Sequence, residues 1–246
     1  MPNKNIKNLK KISRGYFNVP IEGNKEADEV WNLLFKKNIR ELENQAHPLF
    51  LRGIKKLKMG HTAIPKLDEL VKIIRKDAGW VLTRTDIEYS DKDHWFEHFS
   101  KKSFLVTKFI RSKKNLDYTP FPDAFHDIFG HLPFLCEKEY MEIAHKLGLI
   151  YQKSKTEEEK QQVSNFWWYA FEFSLMKHEG RLKAFGAGLM SSIGERRNAF
   201  SGNVNLTPFD REEMKNTSQS AHKFHKKLFV IESLEQIKDA VDNWNK

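Results

Sequence analysis

Apolar residues recur at helical spacing over 26–45, where Val30, Leu33, Leu34 and Leu42 form one stripe. A second amphipathic helix is predicted over 67–76, preceded by Pro65 and closed by Gly79. The runs 80–82 and 104–110 are β-prone and could make a small sheet. Pro120-Phe121-Pro122 enforces an extended entry, because a residue before proline avoids the helical region. Residues 125–129 then fit a short helix, with Gly130 near its end and Pro133 preventing continuation. A further helix is expected over 139–147, ending at Gly148. Thr156 and Glu159 fit a capping box, and three glutamates in the first turn suit the helix dipole. The helix they open should run through an aromatic stretch to about Glu179 and stop at Gly180. Segment 184–192 is apolar and punctuated by glycine, 212–227 is helical in part, 229–231 is a short strand, and 234–244 is a terminal helix. No internal repeat or low-complexity linker interrupts the chain. The expected fold is mainly α, an α+β arrangement with a small sheet, with 1–22 an irregular basic arm and 23–246 one domain.

Composition adds a ring-rich core to this picture. Of the 246 residues 39% are hydrophobic and 13% aromatic, including 19 Phe and 6 Trp, which excludes a disordered chain. The net charge of +9 reads as a lysine-coated surface. A nucleic-acid partner is not expected, since no zinc-finger spacing, RNP-like string or basic zipper appears. Lys4, Lys7, Lys10 and Lys11 look like a frayed terminus. Cys136 is the only cysteine, so no intramolecular disulfide can form and a reducing compartment is expected. The start of the chain lacks an apolar signal core, and no stretch approaches the roughly 18 apolar residues that span a bilayer. A cytoplasmic protein with no membrane partner is the expectation.

The candidate chemistry lies in Phe125-His126-Asp127-Ile128-Phe129-Gly130-His131 and in Glu172. Histidines five apart on a regular helix point well over a quarter-turn apart, so they converge only if the helix ends between them. On spacing alone, two ordinary, partly buried histidines are the slightly better reading. Glu172 changes the balance. It sits among rings in Phe166-Trp167-Trp168-Tyr169-Ala170-Phe171-Glu172-Phe173, expected mid-helix, with Trp168 and Leu175 flanking it on one apolar face. A carboxylate buried there without a partner would cost several kcal/mol or hold its proton. A bound cation is one reason for an acid in that place; solvent exposure or a basic partner is the other. Two histidines and a carboxylate make the facial triad of non-heme Fe(II) oxygenases, with three positions left open. Zinc accepts the same donors, but no His-Glu-x-x-His helix is present.

The string from Tyr118 through Thr119, Pro122, Asp123, His126 and His131 to Pro133 closely resembles the signature of the pterin-dependent aromatic amino acid hydroxylases. Two further blocks, 168–173 and 184–195, match in order and separation. The likeness runs from roughly Trp80 to the last residue and is weaker in the first helix. It implies that His126, His131 and Glu172 hold Fe(II), and that Arg111 grips the substrate carboxylate, as a guanidinium can do bidentately. It implies contacts from Thr119, Gly188 and Ser191 to the amino acid's polar end, with Pro122 and Trp168 packing on its ring. Segment 218–224, with Ala221 near its middle, matches the family's substrate-selecting loop. Trp95 falls where a ring stacks on the tetrahydropterin, and Asp127 is an acid near pterin and iron. Apart from the resemblance, Arg111 reads as a surface arginine beside Lys113 and Lys114, Trp168 as core, and Trp95 as packing with Phe96 and Phe99.

The chain also departs from the family. Phe121 replaces a glutamate, and Thr85-Asp86-Ile87-Glu88 only loosely follows the pterin loop. Residues 23–246 resemble a bare catalytic domain of the bacterial kind, with no regulatory or tetramerisation domain, which implies a monomer. The implied reaction uses O2, Fe(II) and a tetrahydropterin to hydroxylate a free aromatic amino acid, with phenylalanine to tyrosine as the first choice. Tryptophan hydroxylation and attack at the 3-position of phenylalanine are the alternatives within the family. A non-catalytic metal- or nucleic-acid-binding protein is the alternative outside it.

Overall fold

The computed structural model describes residues 19–85, 91–116, 121–219 and 223–244. Helix α1 (Lys25–Gln45) opens on Asn24, whose side chain accepts from Glu26 N. It buries Val30, Trp31, Leu34, Phe35 and Leu42, whereas Leu33 points outward and is 41% exposed, off the predicted stripe. A short helix α2 (Pro48–Lys56), not anticipated from the sequence, follows at once, with proline at its first position and His47 as its cap. Helix α3 (Leu67–Ala78) ends on Gly79 in the left-handed conformation, as predicted.

Strand β1 (Val19–Pro20) pairs antiparallel with β4 (Phe109–Ile110), so the described end of the predicted irregular arm is a short strand. Strand β2 (Val81–Thr85) runs parallel to β3 (Ser103–Thr107), joined through residues that include helix α4 (Lys92–Ser100). These are the two β-prone runs of the sequence. A larger four-stranded sheet lies in the second half of the chain, in the order β6-β5-β8-β7. Its strands are β5 (Ser174–His178), β6 (Arg181–Ala184), β7 (Asn205–Pro208) and β8 (Lys227–Ile231).

Two predicted helices have different ends. Helix α5 (Lys138–Lys153) passes straight through Gly148, because there the helix touches α4: a Cβ on Gly148 would lie 2.4 Å from Ser100 N. The helix from the Thr156 capping box, α6 (Glu157–Trp167), stops far short of Glu179. It gives way to a π-turn over Trp168–Glu172 and then to β5. Leu175 therefore belongs to a strand and not to the apolar helix face assigned to it. Ser174, Leu175 and Met176 are buried between β6 and β8, and Glu179 and Gly180, both at positive φ, turn the chain back as a hairpin. Helices α7 (Ala187–Ser191), α8 (Ile193–Ala199), α9 (Arg211–Asn216) and α10 (Leu234–Asp242) complete the chain. One hydrophobic core reaches from Val19 to Val241.

Candidate metal centre

His126 and His131 do converge, but by a route other than the predicted helix end. The helical turn continues and widens: His126–His131 is a π-helix. With i→i+5 bonding, residues five apart return to the same face, and such turns recur at functional sites. His126 Nε2 and His131 Nε2 are 3.0 Å apart. The second π-turn, Trp168–Glu172, brings Glu172 to the same point, with Oε1 3.0 Å from His131 Nε2 and Oε2 3.5 Å from His126 Nε2. Three donors bound at roughly 2.1 Å and mutually at right angles would stand about 3.0 Å apart; the two histidine nitrogens stand so, and the two oxygens of Glu172 lie 3.0 and 3.5 Å from them.

Packing holds the two turns in register. Trp31 and Phe35 of α1 each place a ring 5.3 Å from Phe125 and Phe129 respectively. On the other side α7 lies against both turns. A Cβ on Gly186 would meet Glu172 O at 2.1 Å, and one on Gly188 would strike the Phe173 ring at 2.4 Å. Gly188, expected to touch the amino acid, is thus a point of close approach between α7 and the end of the second turn.

The hydrogen bonds around the donors fit a divalent cation. Ser191 Oγ lies 3.1 Å from Ala187 O and 2.8 Å from His126 Nδ1. A hydroxyl that donates to the carbonyl must accept from Nδ1–H, which leaves the Nε2 lone pair facing the centre. Ser191 therefore orients His126, beyond its expected place beside the substrate. Burial holds His126 uncharged, its pKa pushed down to about 4. Burial opposes the charge of Glu172, but His131 and the Trp167 indole, which donates to Oε1, hold its carboxyl low, at about 2. Glu172 Oε2 is buried without a hydrogen-bond partner, and so is His131 Nδ1. An ionised carboxylate oxygen left bare inside a protein calls for a cation. His126, His131 and Glu172 are the group of this kind found among the described residues.

The surroundings of the triad rearrange several expectations. Arg111 is buried, not a surface arginine: Nε donates to Asp123 Oδ2 at 2.8 Å and Nη2 to Asp123 Oδ1 at 2.9 Å. Asp123 also accepts from the backbone N–H of Arg111 and of His126. Burial works to raise the Asp123 carboxyl, yet the Arg111 guanidinium and these N–H groups keep it below the usual range. Asp127 accepts from Thr107 N at 2.8 Å, fastening the first π-turn to β3, and burial pushes its pKa up to about 7. Trp95 on α4 is half-buried against Phe99 and Phe104, with its ring 6.0 Å from that of His131. Pro122 is exposed and Trp168 half-buried. Thr119 and Ala221, like Asp86 and Glu88 of the pterin loop, lie outside the described residues.

Sequence reasoning missed Asp123, Trp167, Glu195 and His225. Trp167 Nε1 donates to Glu172 Oε1 at 2.9 Å from five residues back, the same spacing that separates the two histidines. His225 and Glu195 join Trp168 in a chain of hydrogen bonds. Glu195 closes the matching block 184–195, but no role is legible for it there; it lies three residues after Ser192, which caps the helix.

Residues 7–246 match the model of the biopterin-dependent aromatic amino acid hydroxylases. The chain belongs to this family. It is 31% identical over 217 residues to the phenylalanine-4-hydroxylase of Mesorhizobium japonicum, covering 87% of this chain and 78% of that one. Among solved structures it resembles the Chromobacterium violaceum phenylalanine hydroxylase that holds iron(III) and 7,8-dihydrobiopterin, with a TM-score of 0.85 and 28% identity over 92% of this chain and 83% of that one. The phenylalanine hydroxylase of Legionella pneumophila is similar to the same degree, with a TM-score of 0.86 and 28% identity over 92% and 91% of the two chains. As an aromatic amino acid hydroxylase this chain is a pterin-dependent monooxygenase, and the non-catalytic reading is not favoured. No helix among the described residues is long and apolar enough to cross a membrane.

Proposed function

We propose that the chain hydroxylates free phenylalanine to tyrosine, with Fe(II) held by His126, His131 and Glu172. The observation that carries this reading is the face of three donors with a bare, buried Glu172 oxygen. Bacterial relatives named as phenylalanine-4-hydroxylases support the choice of substrate. When bound, iron and a tetrahydropterin supply the activation of O2.

The chain's own residues bind, orient and exclude water. Ser191 keeps the Nδ1 hydrogen of His126 away from the metal side. Trp167 engages Glu172 Oε1 and leaves Oε2 to the ion. Asp123 holds the Arg111 guanidinium flat and in place, and in this reading Arg111 with Thr119 receives the amino acid's carboxylate. Pro122 and Trp168 flank the substrate ring, and Trp95 offers its face to the pterin with Asp127 nearby. We read residues 23–246 as the catalytic domain, working as a monomer in a reducing cytoplasm. Cys136 takes no part, since burial pushes its thiol up to about 12.

The test is to load the protein with Fe(II) and supply O2, a tetrahydropterin and equal phenylalanine, tyrosine and tryptophan. Tyrosine formed from phenylalanine is the expected product. 3-Hydroxyphenylalanine or hydroxytryptophan would replace the substrate assignment. Pterin consumption without any hydroxylated amino acid would overturn it.

A further inference from the structure

Trp168 is tied at its indole nitrogen to a side chain far along the chain. Nε1 donates to His225 Nε2 at 3.0 Å. An indole N–H only donates, so His225 Nε2 must accept, and the imidazole carries its hydrogen on Nδ1. That hydrogen has a receiver: Nδ1 lies 3.0 Å from Glu195 Oε1. Glu195 Oε2 takes the backbone N–H of His225 as well, at 3.4 Å. Only one arrangement satisfies all three groups, because a hydrogen on His225 Nε2 would face the indole's own.

The imidazole is itself fixed on every side. It is 4% exposed, and Phe173 stacks on it with centroids 4.2 Å apart and planes 27° from parallel. Phe173 also leans on Trp168, with centroids 4.8 Å apart. Asn198 Nδ2 donates to the His225 carbonyl at 2.7 Å. Packing confines the Trp168 ring, and a hydrogen bond adds a directional constraint that packing lacks. The bond to His225 selects one face and one tilt, four residues before the Glu172 carboxylate.

We infer that His225, held by Glu195, is a positioning residue: it fixes the orientation of the Trp168 indole and so sets how closely the substrate ring is gripped. The inference rests on the reading that Trp168 lines the amino acid pocket. A neutral hydrogen bond contributes roughly 0.5–1.5 kcal/mol, so its loss can weaken substrate binding by up to about 2- to 12-fold.

The experiment is a double-mutant cycle on the iron-loaded enzyme, reading KM for phenylalanine, kcat and tyrosine formed per pterin oxidised. His225→Phe keeps a ring on Phe173 but offers no acceptor, and Trp168→Phe keeps a ring but offers no donor. Each is expected to raise KM about 2- to 12-fold and to lower product per pterin, with iron content unchanged. The double variant is expected to be no worse than either alone, because both remove one bond. His225→Gln, whose amide oxygen can accept from the indole, is expected to restore most of the loss. Additive effects, or an unchanged KM in His225→Phe beside a raised one in Trp168→Phe, overturn the inference and leave the pocket reading intact. An unchanged KM in Trp168→Phe overturns the pocket reading, and the inference with it. Should His225→Phe not fold, the unaltered protein decides. With 15N in indole and imidazole rings, an N–H···N bond transmits a coupling between the two nitrogens, and its absence overturns the inference.

Discussion

Arg111 and Asp123 close a bidentate ion pair in the interior, with N–O distances of 2.8 and 2.9 Å and each side chain less than a tenth exposed. The same carboxylate receives the backbone N–H of His126, so the pair joins the expected substrate grip to the first proposed metal donor. Removing one partner of a buried pair strands the other charge. Asp123→Ala should therefore lower stability by about 3 kcal/mol, read as the denaturant midpoint, and raise KM for the amino acid at least tenfold. A variant with normal KM would detach Arg111 from substrate binding.

Trp167 gives a prediction about the metal rather than the substrate. Its indole donates to Glu172 Oε1, while its ring stacks on Phe171 at 4.6 Å and meets Phe99 edge-on at 4.7 Å. Trp167→Phe keeps most of that packing and deletes the donor. Affinity for Fe(II) or Co(II), measured by titration of metal-free protein, should fall about 10- to 100-fold. Unchanged affinity would mean that Glu172 needs no help in choosing its oxygen.

Much of this centre was legible in the sequence. The three donor side chains, the resemblance around them and the capping box at Thr156 all carry local signals. Their convergence did not, because hydrophobic periodicity does not distinguish an α-turn from a π-turn, and the five-residue spacing of His126 and His131 reads as divergence on a regular helix. Strand β5 was hidden for a related reason. Its apolar residues continue the ring-rich run of the helix before it, and pairing with β6 on one side and with β8, more than fifty residues away, on the other makes them a strand. Arg111 and Asp123 stand twelve residues apart in the chain, and no periodicity predicts that they meet. The link from Trp168 to His225 is equally non-local.

Gly186 predicts how tightly the second π-turn is held. A methyl group there would stand 2.1 Å from Glu172 O and 2.6 Å from Phe173 N, both backbone atoms with no rotamer to yield. Gly186→Ala should cost about 1–3 kcal/mol in overpacking. Because the atom displaced belongs to Glu172, iron content at a fixed free-iron concentration should drop as well. Full iron occupancy in a folded Gly186→Ala protein would show that the turn tolerates movement.

His47 predicts an acid sensitivity unconnected with the metal. Its Nδ1 accepts from Leu49 N at 3.4 Å as the cap of α2, and its ring lies edge-on to His178 and Phe185. Burial, then His178, Arg52 and Lys183, push its pKa from 6.5 down to about 4. The unfolded chain therefore binds this proton more readily than the folded one. The folded state has the full contribution above pH 6.5 and loses it progressively as pH falls towards 4, with up to roughly 3 kcal/mol at stake. Protonation would also remove the acceptor that caps the helix. His47→Asn keeps a capping oxygen and cannot titrate. Denaturant unfolding at pH 7 and pH 4.5 should show a smaller loss of stability on acidification in the variant than in the unaltered protein. Parallel losses in the two proteins would mean that His47 takes up its proton without disturbing the fold.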